Sequence, residues 1–107
     1  MDIRIKSTRL EITDAIRDYI EKKMSSVFKH LGDIRATNFD VEVEKTVGGQ
    51  NKGEIYRAEV NLAIPRKLLR VEKTEKDLYK AIDKVKDHLD LVIKKYKDKL
   101  LDKSRGK

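Results

Sequence analysis

Between Leu78 and Leu100 apolar side chains recur every three or four residues: Leu78, Ile82, Val85, Leu89, Val92, Ile93, Tyr96 and Leu100. This spacing puts them on one stripe of a helix running from about Glu75 to about Leu101. So long a stripe, with charge on the other sides, requires an apolar surface of matching length, and no other feature constrains the fold as strongly. A second stripe of the same period, Ile16, Ile20, Met24, Val27 and Leu31, marks another helix. Thr13 is placed to cap its start, Asp14 suits its positive end, and Gly32 is placed to stop it.

Elsewhere the apolar residues alternate, the period of a strand with one buried face. Asp2 to Lys6 alternates around Ile3 and Ile5. Phe39, Val41 and Val43 form a second such set, and Ala58, Val60, Leu62 and Ile64 a third that ends at Pro65. Leu69 and Val71 indicate a shorter fourth strand, and Val47 to Gly53 carries turn chemistry between the second and third. The order is β-α-β-β-β-α, an α+β fold. A four-stranded sheet with both helices packed on one face buries two stripes and one alternating face together. The double-stranded RNA-binding domain shares the last five elements. The 107 residues make one domain, 1–107, with 102–107 expected as a tail.

Composition removes several classes of function. There is no cysteine, which excludes disulfides and thiolate metal sites and suits a reducing cytoplasm. The apolar runs are a few residues long, far short of the ~20 that span a membrane. His30 and His88 lie far apart with no cluster of carboxylate and histidine around either, so neither a metal nor a general base is expected. Gly48, Gly49 and Gly53 lack the Gly-Lys-Ser/Thr ending of a phosphate loop and read as a hairpin turn. Ser7, Ser25 and Ser26 have no activating base nearby in sequence. No enzyme, cofactor or small-molecule substrate is expected.

The chain holds 26 Lys+Arg against 19 Asp+Glu, a net charge of +7. Residues 91–107 hold seven basic side chains and two acidic ones, so +5 of the excess lies in the last seventeen positions. A localised excess of this kind suits a polyanionic partner. On a wheel at about 100° per residue, Asp83, Asp87, Asp90 and Asp98 of the second helix fall opposite the core, with Lys80 and Lys94 neutralised among them. Lys84, His88, Lys95 and Lys99 form one flank without carboxylates, and Tyr79, Lys86 and Lys97 the other. The first helix adds Lys22, Lys23, Lys29 and His30 on its non-core side, so that side-by-side helices would join the flanks into one patch. Lysine predominates over arginine in both helices, which favours phosphate contact over base reading. Arg4, Lys6, Asp40, Glu42, Glu44, Arg57, Glu59 and Asn61 are expected on the solvated outer face of the sheet. No aromatic stands among them to stack bases as an RNA-recognition motif does.

Two segments carry a family resemblance. Glu11-Ile12-Thr13-Asp14-Ala15-Ile16-Arg17 resembles the first-helix opening Glu-Ile-Thr-x-Ala-(Leu/Ile)-Arg of the ribosome hibernation promoting factors. Asp77-Leu78-Tyr79-Lys80-Ala81-Ile82-Asp83, followed by Lys94 to Leu100, resembles the second helix of that family. These proteins are also called ribosome-associated inhibitors or sigma-54 modulation proteins. The resemblance implies the same β-α-β-β-β-α fold. It also implies binding through helix cations to the ribosomal RNA of the small ribosomal subunit, in the channel of messenger and transfer RNA, and silencing of idle ribosomes under stress. Lys23, Lys29, Lys95, Lys97 and Lys99 stand where the family has basic residues. His88 and Ser26 replace common lysines and Leu91 a frequent arginine; His88 would add a mild pH sensitivity. Ile64 to Arg70 looks more like the long-form members, which append a dimerisation domain, so 1–107 is either a short form or the N-terminal domain of a longer protein. The rival readings are a generic double-stranded RNA or DNA binder and a basic module that docks an acidic partner.

Overall fold

The computed structural model describes residues 3–46 and 55–105, the last three by backbone alone. The turn expected over Val47 to Gly53 lies outside the described residues. The elements are β1 (Arg4–Thr8), α1 (Asp14–Leu31), β2 (Asn38–Lys45), β3 (Tyr56–Ile64), β4 (Lys67–Glu75) and α2 (Leu78–Arg105). This is the expected order, and the strands form one sheet in the sequence β1-β2-β3-β4. β1 runs parallel to β2, with α1 as the crossover, and the other two pairings are antiparallel.

The register turns alternation into rows. Phe39 lies opposite Leu62, and Leu62 opposite Leu69. Val41, Val60 and Val71 make the next row, which Ile5 extends onto β1. Onto this face pack all five residues of the α1 stripe, and Leu78, Ile82, Val85, Leu89 and Ile93 of α2. Each large apolar side chain so buried contributes about 1.5–3 kcal/mol. Ala81, a position outside the expected stripe, is also fully covered, since its small side chain lets α2 sit close.

Both ends of α1 form as their chemistry dictates. Thr13 Oγ1 accepts from Ile16 N at 3.2 Å, and Gly32 N donates to Lys29 O at 3.2 Å. Gly32 has φ +60° and ψ −119°, a backbone that a side chain would strain. Three expectations need correction. β4 is nine residues long, as long as β3; its alternation fades after Val71 because the inward positions are held by polar Lys73 and Glu75. α2 begins at Leu78, where Asp77 Oδ1 accepts from Tyr79 N at 2.8 Å, and continues to Arg105. Leu100 is 45% exposed, not a core residue, because the last turns of α2 run past the C-terminus of the shorter α1.

The β3–β4 connection has two residues, Pro65 and Arg66, and Arg66 takes φ +65°. Proline at the first position excludes the hairpin turns that need positive φ there, so the left-handed residue must be the second.

Candidate nucleic-acid interface

The two helices lie side by side, and the contacts between them show which flank of α2 faces α1. Tyr19 and Tyr79 meet edge to face, with centroids 4.8 Å apart. The Tyr19 hydroxyl donates to Asp83 Oδ1 at 2.5 Å, and that bond, with burial, pushes its pKa up to about 12. Lys23 Nζ lies 3.3 Å from the same carboxylate and 5.3 Å from the Tyr19 ring centre. One end further along, His30 Nδ1 is 2.7 Å from Asp90 Oδ1, whose other oxygen is 2.8 Å from Lys86 Nζ. Lys97 Nζ donates to the carbonyl of His30 at 2.9 Å, satisfying an orphan acceptor at the C-terminal end of α1. The flank of Tyr79, Lys86 and Lys97 is therefore the seam between the helices.

This arrangement divides the nine expected RNA contacts. Lys23, Lys86 and Lys97 are engaged in the seam. Asp83 and Asp90 belong there too, a correction to their expected place opposite the core; Asp87 and Asp98 keep the outward positions. Lys84, His88, Lys95 and Lys99 occupy the flank of α2 turned away from α1, above the β4 edge. The single patch expected from joined flanks is thus replaced by two groups, with the seam between them. Nor is the α2 flank free of carboxylate, for Lys84 pairs with Glu75 of β4 and holds that carboxyl below its ordinary value. Among the described residues, Lys22, Lys29, His88, Lys95 and Lys99 are exposed and make no ion pair. The sequence reading missed Lys80 as a member of this class. It expected Lys80 to be neutralised among the neighbouring helix acids, whereas Tyr19 and Lys23 occupy Asp83; Lys94 does pair with Asp98, at 3.4 Å.

The outer face of the sheet behaves differently. Arg57 reaches Glu44 and Glu59 at 2.7 Å each, and Glu42 and Glu72 at 3.3 Å. Arg70 meets the second Glu59 oxygen at 2.5 Å, and Asn61 donates to it at 3.1 Å. Arg4 pairs with Asp40, and Arg9 with Glu44. Burial acts against both central charges. Hydrogen bonds that it donates to Glu44, Glu59 and Glu42 nevertheless hold Arg57 more firmly protonated than usual, and those donated by Arg57, Asn61 and Arg70 hold Glu59 below its ordinary value. The Glu59 side chain is only 7% exposed and that of Arg57 16%, so the expectation of a merely solvated face is corrected to a closed ion-pair network. Cross-strand register causes this: Glu59 is opposite Glu42 and Glu72, three carboxylates in a row, with Arg57 two residues along.

The arrangement leaves several lysines of the helix layer unpaired among the described residues and ties the sheet's Arg4, Arg57 and Arg70 to carboxylates. Among the described residues, no cluster of histidine and carboxylate has the form of a metal site, and no helix is long and apolar enough to cross a membrane.

Comparison with known proteins agrees with this architecture. The N-terminal domain of Protein Y from Thermus thermophilus superposes with a TM-score of 0.73 at 37% identity, covering 90% of this chain and 99% of that one. A ribosome hibernation promotion factor of Lactococcus lactis subsp. cremoris is 35% identical over 108 residues; the match covers 95% of this chain but only 52% of that protein, so the chain spans about half its length. A ribosome hibernation promoting factor of Azotobacter vinelandii is 29% identical over 106 residues, covering 99% of this chain and 92% of that protein. Residues 3–101 match the family described as sigma 54 modulation protein / S30EA ribosomal protein, and the chain belongs to that family.

Proposed function

We propose that this protein binds the small ribosomal subunit and holds ribosomes idle under stress, occupying the channel of messenger and transfer RNA and so inhibiting translation. Relatives named as ribosome hibernation factors support the ribosome as partner. The observation that carries the RNA contact is the exposed flank of α2, where His88, Lys95 and Lys99 stand without acidic partners among the described residues. Phosphate oxygens of ribosomal RNA suit these point charges, and Lys22 and Lys29 extend the contact over α1. Lys23, Lys84, Lys86 and Lys97 join only by giving up a partner within the protein. In this reading residues 1–107 act as one ribosome-binding domain in the cytoplasm, by steric exclusion, with no cofactor and no turnover.

Replacing Lys95 and Lys99 together by glutamate tests it. Sedimentation with purified small subunits is expected to be lost while the thermal midpoint is unchanged; undiminished sedimentation overturns the assignment. A generic duplex binder would show comparable affinity for any RNA or DNA duplex at matched salt.

A further inference from the structure

β4 closes one side of the sheet, and no strand lies beyond it among the described residues. Its orientation follows from the two-residue turn. Ile64 and Lys67 flank that turn as a hydrogen-bonded pair, so Leu69 and Val71 also direct their backbone groups at β3. The amides and carbonyls of Leu68, Arg70 and Glu72 then point away from the sheet. Over nine residues, about 30 Å at about 3.3 Å each, this is a template for another strand.

What lies above the edge selects the strand. α2 runs back along β4: Lys84 pairs with Glu75 at one end, and Lys67 Nζ lies 5.7 Å from the Tyr96 ring centre at the other. The flank of α2 away from α1 therefore overhangs the edge with His88, Lys95 and Lys99, and Lys73 adds a cation from the strand itself. Helical residues four apart, such as Lys95 and Lys99, rise about 6 Å. Alternate residues of an incoming strand are about 6.8 Å apart. A segment with an acid at every second position would set those acids against this row. A second copy of the chain is disfavoured, because edge-to-edge pairing brings two such cationic flanks together.

We propose that the β4 edge and the overhanging α2 flank form a docking site for an extended acidic segment of a protein partner, added as a fifth strand. Backbone bonds to Leu68, Arg70 and Glu72 supply the pairing, and the helix cations the choice of sequence. The site shares Lys95 and Lys99 with the ribosomal contact but does not depend on it. An RNA strand could neutralise the lysines, yet it has no peptide groups to pair with the edge.

The probe is a blocked peptide of about nine residues with alternating Glu and Thr, followed by amide exchange and NMR titration of the whole chain. Saturable binding with slowed exchange at Leu68, Arg70 and Glu72 is expected. A peptide with Lys replacing Glu should leave them unprotected. Leu68→Pro removes an outward N–H while sparing the β3 ladder, and should abolish peptide protection while retaining sedimentation with ribosomes. Should that variant not fold, Lys95→Glu with Lys99→Glu should abolish binding of the Glu peptide. Three results would overturn the proposal: no binding, binding without protection of the edge amides, or equal protection by the Lys peptide. Protection of the same amides by a single-stranded RNA would also overturn it, in favour of a nucleic-acid groove.

Discussion

The two broad faces of this molecule differ in what their charged residues touch. On the outer sheet face Arg57 is enclosed by Glu42, Glu44, Glu59 and Glu72, and Arg70 and Arg4 hold further carboxylates. On the helix layer Asp83 and Asp90 are drawn into the seam with α1, while Lys22, Lys29, Lys95 and Lys99 stand exposed to solvent. A charge already paired at 2.7 Å must lose that partner before it meets a phosphate, whereas an unpaired one displaces only water and counterions. The location of neutralised acids, more than the net charge, therefore decides which face presents unpaired cations.

That contrast is sharpest at Arg57. Arg57→Ala leaves four carboxylates around a half-buried site without their counterion and is expected to destabilise the fold by about 3 kcal/mol. RNA affinity of the folded fraction should be unchanged; chemical denaturation and filter binding report the two separately. A loss of affinity in folded protein would erase the distinction between the faces.

Acid tests the same network. Glu59 has a lowered pKa in the folded protein, so its contribution to stability is present above the ordinary value of 4.5 and lost as pH falls through the folded value. Glu75, paired with Lys84, has the same sign. The thermal midpoint is expected to fall below about pH 4.5, and Glu59→Gln should flatten that fall; an identical pH profile in the variant would count against the buried network.

The helix layer should respond in binding without responding in stability. Lys95→Ala with Lys99→Ala is expected to reduce the slope of log affinity against log salt by about two, with unfolding within about 0.5 kcal/mol of the parent. The smallest effect belongs to Lys86, tied to Asp90. Lys86→Ala should change the salt slope by well under one, and a full unit would show that RNA pulls it out of the seam.

Much of the fold is legible in the sequence because its signals are local. Thr13 and Gly32 announce the ends of α1, and the alternation of Phe39, Val41 and Val43 meets its partners without a slip of register. The division of the helix cations was not legible, for a wheel shows which residues share a flank but not what packs against it. Whether Asp83 neutralises Lys80 or binds Tyr19 depends on a helix 64 residues away. The burial of Glu59 was hidden for a similar reason, since its enclosing arginines come from neighbouring positions across and along the sheet.

The seam has a consequence for how the chain folds. Tyr19 meets Asp83 across 64 residues, and His30 meets Asp90 and Lys97 across 60 and 67. Contacts so distant in sequence require closure of most of the chain, which slows folding relative to helical bundles of similar size. During vectorial synthesis α1 emerges while its partner is still unmade. Its Tyr19 and His30 stay without their carboxylates until the final helix has been translated.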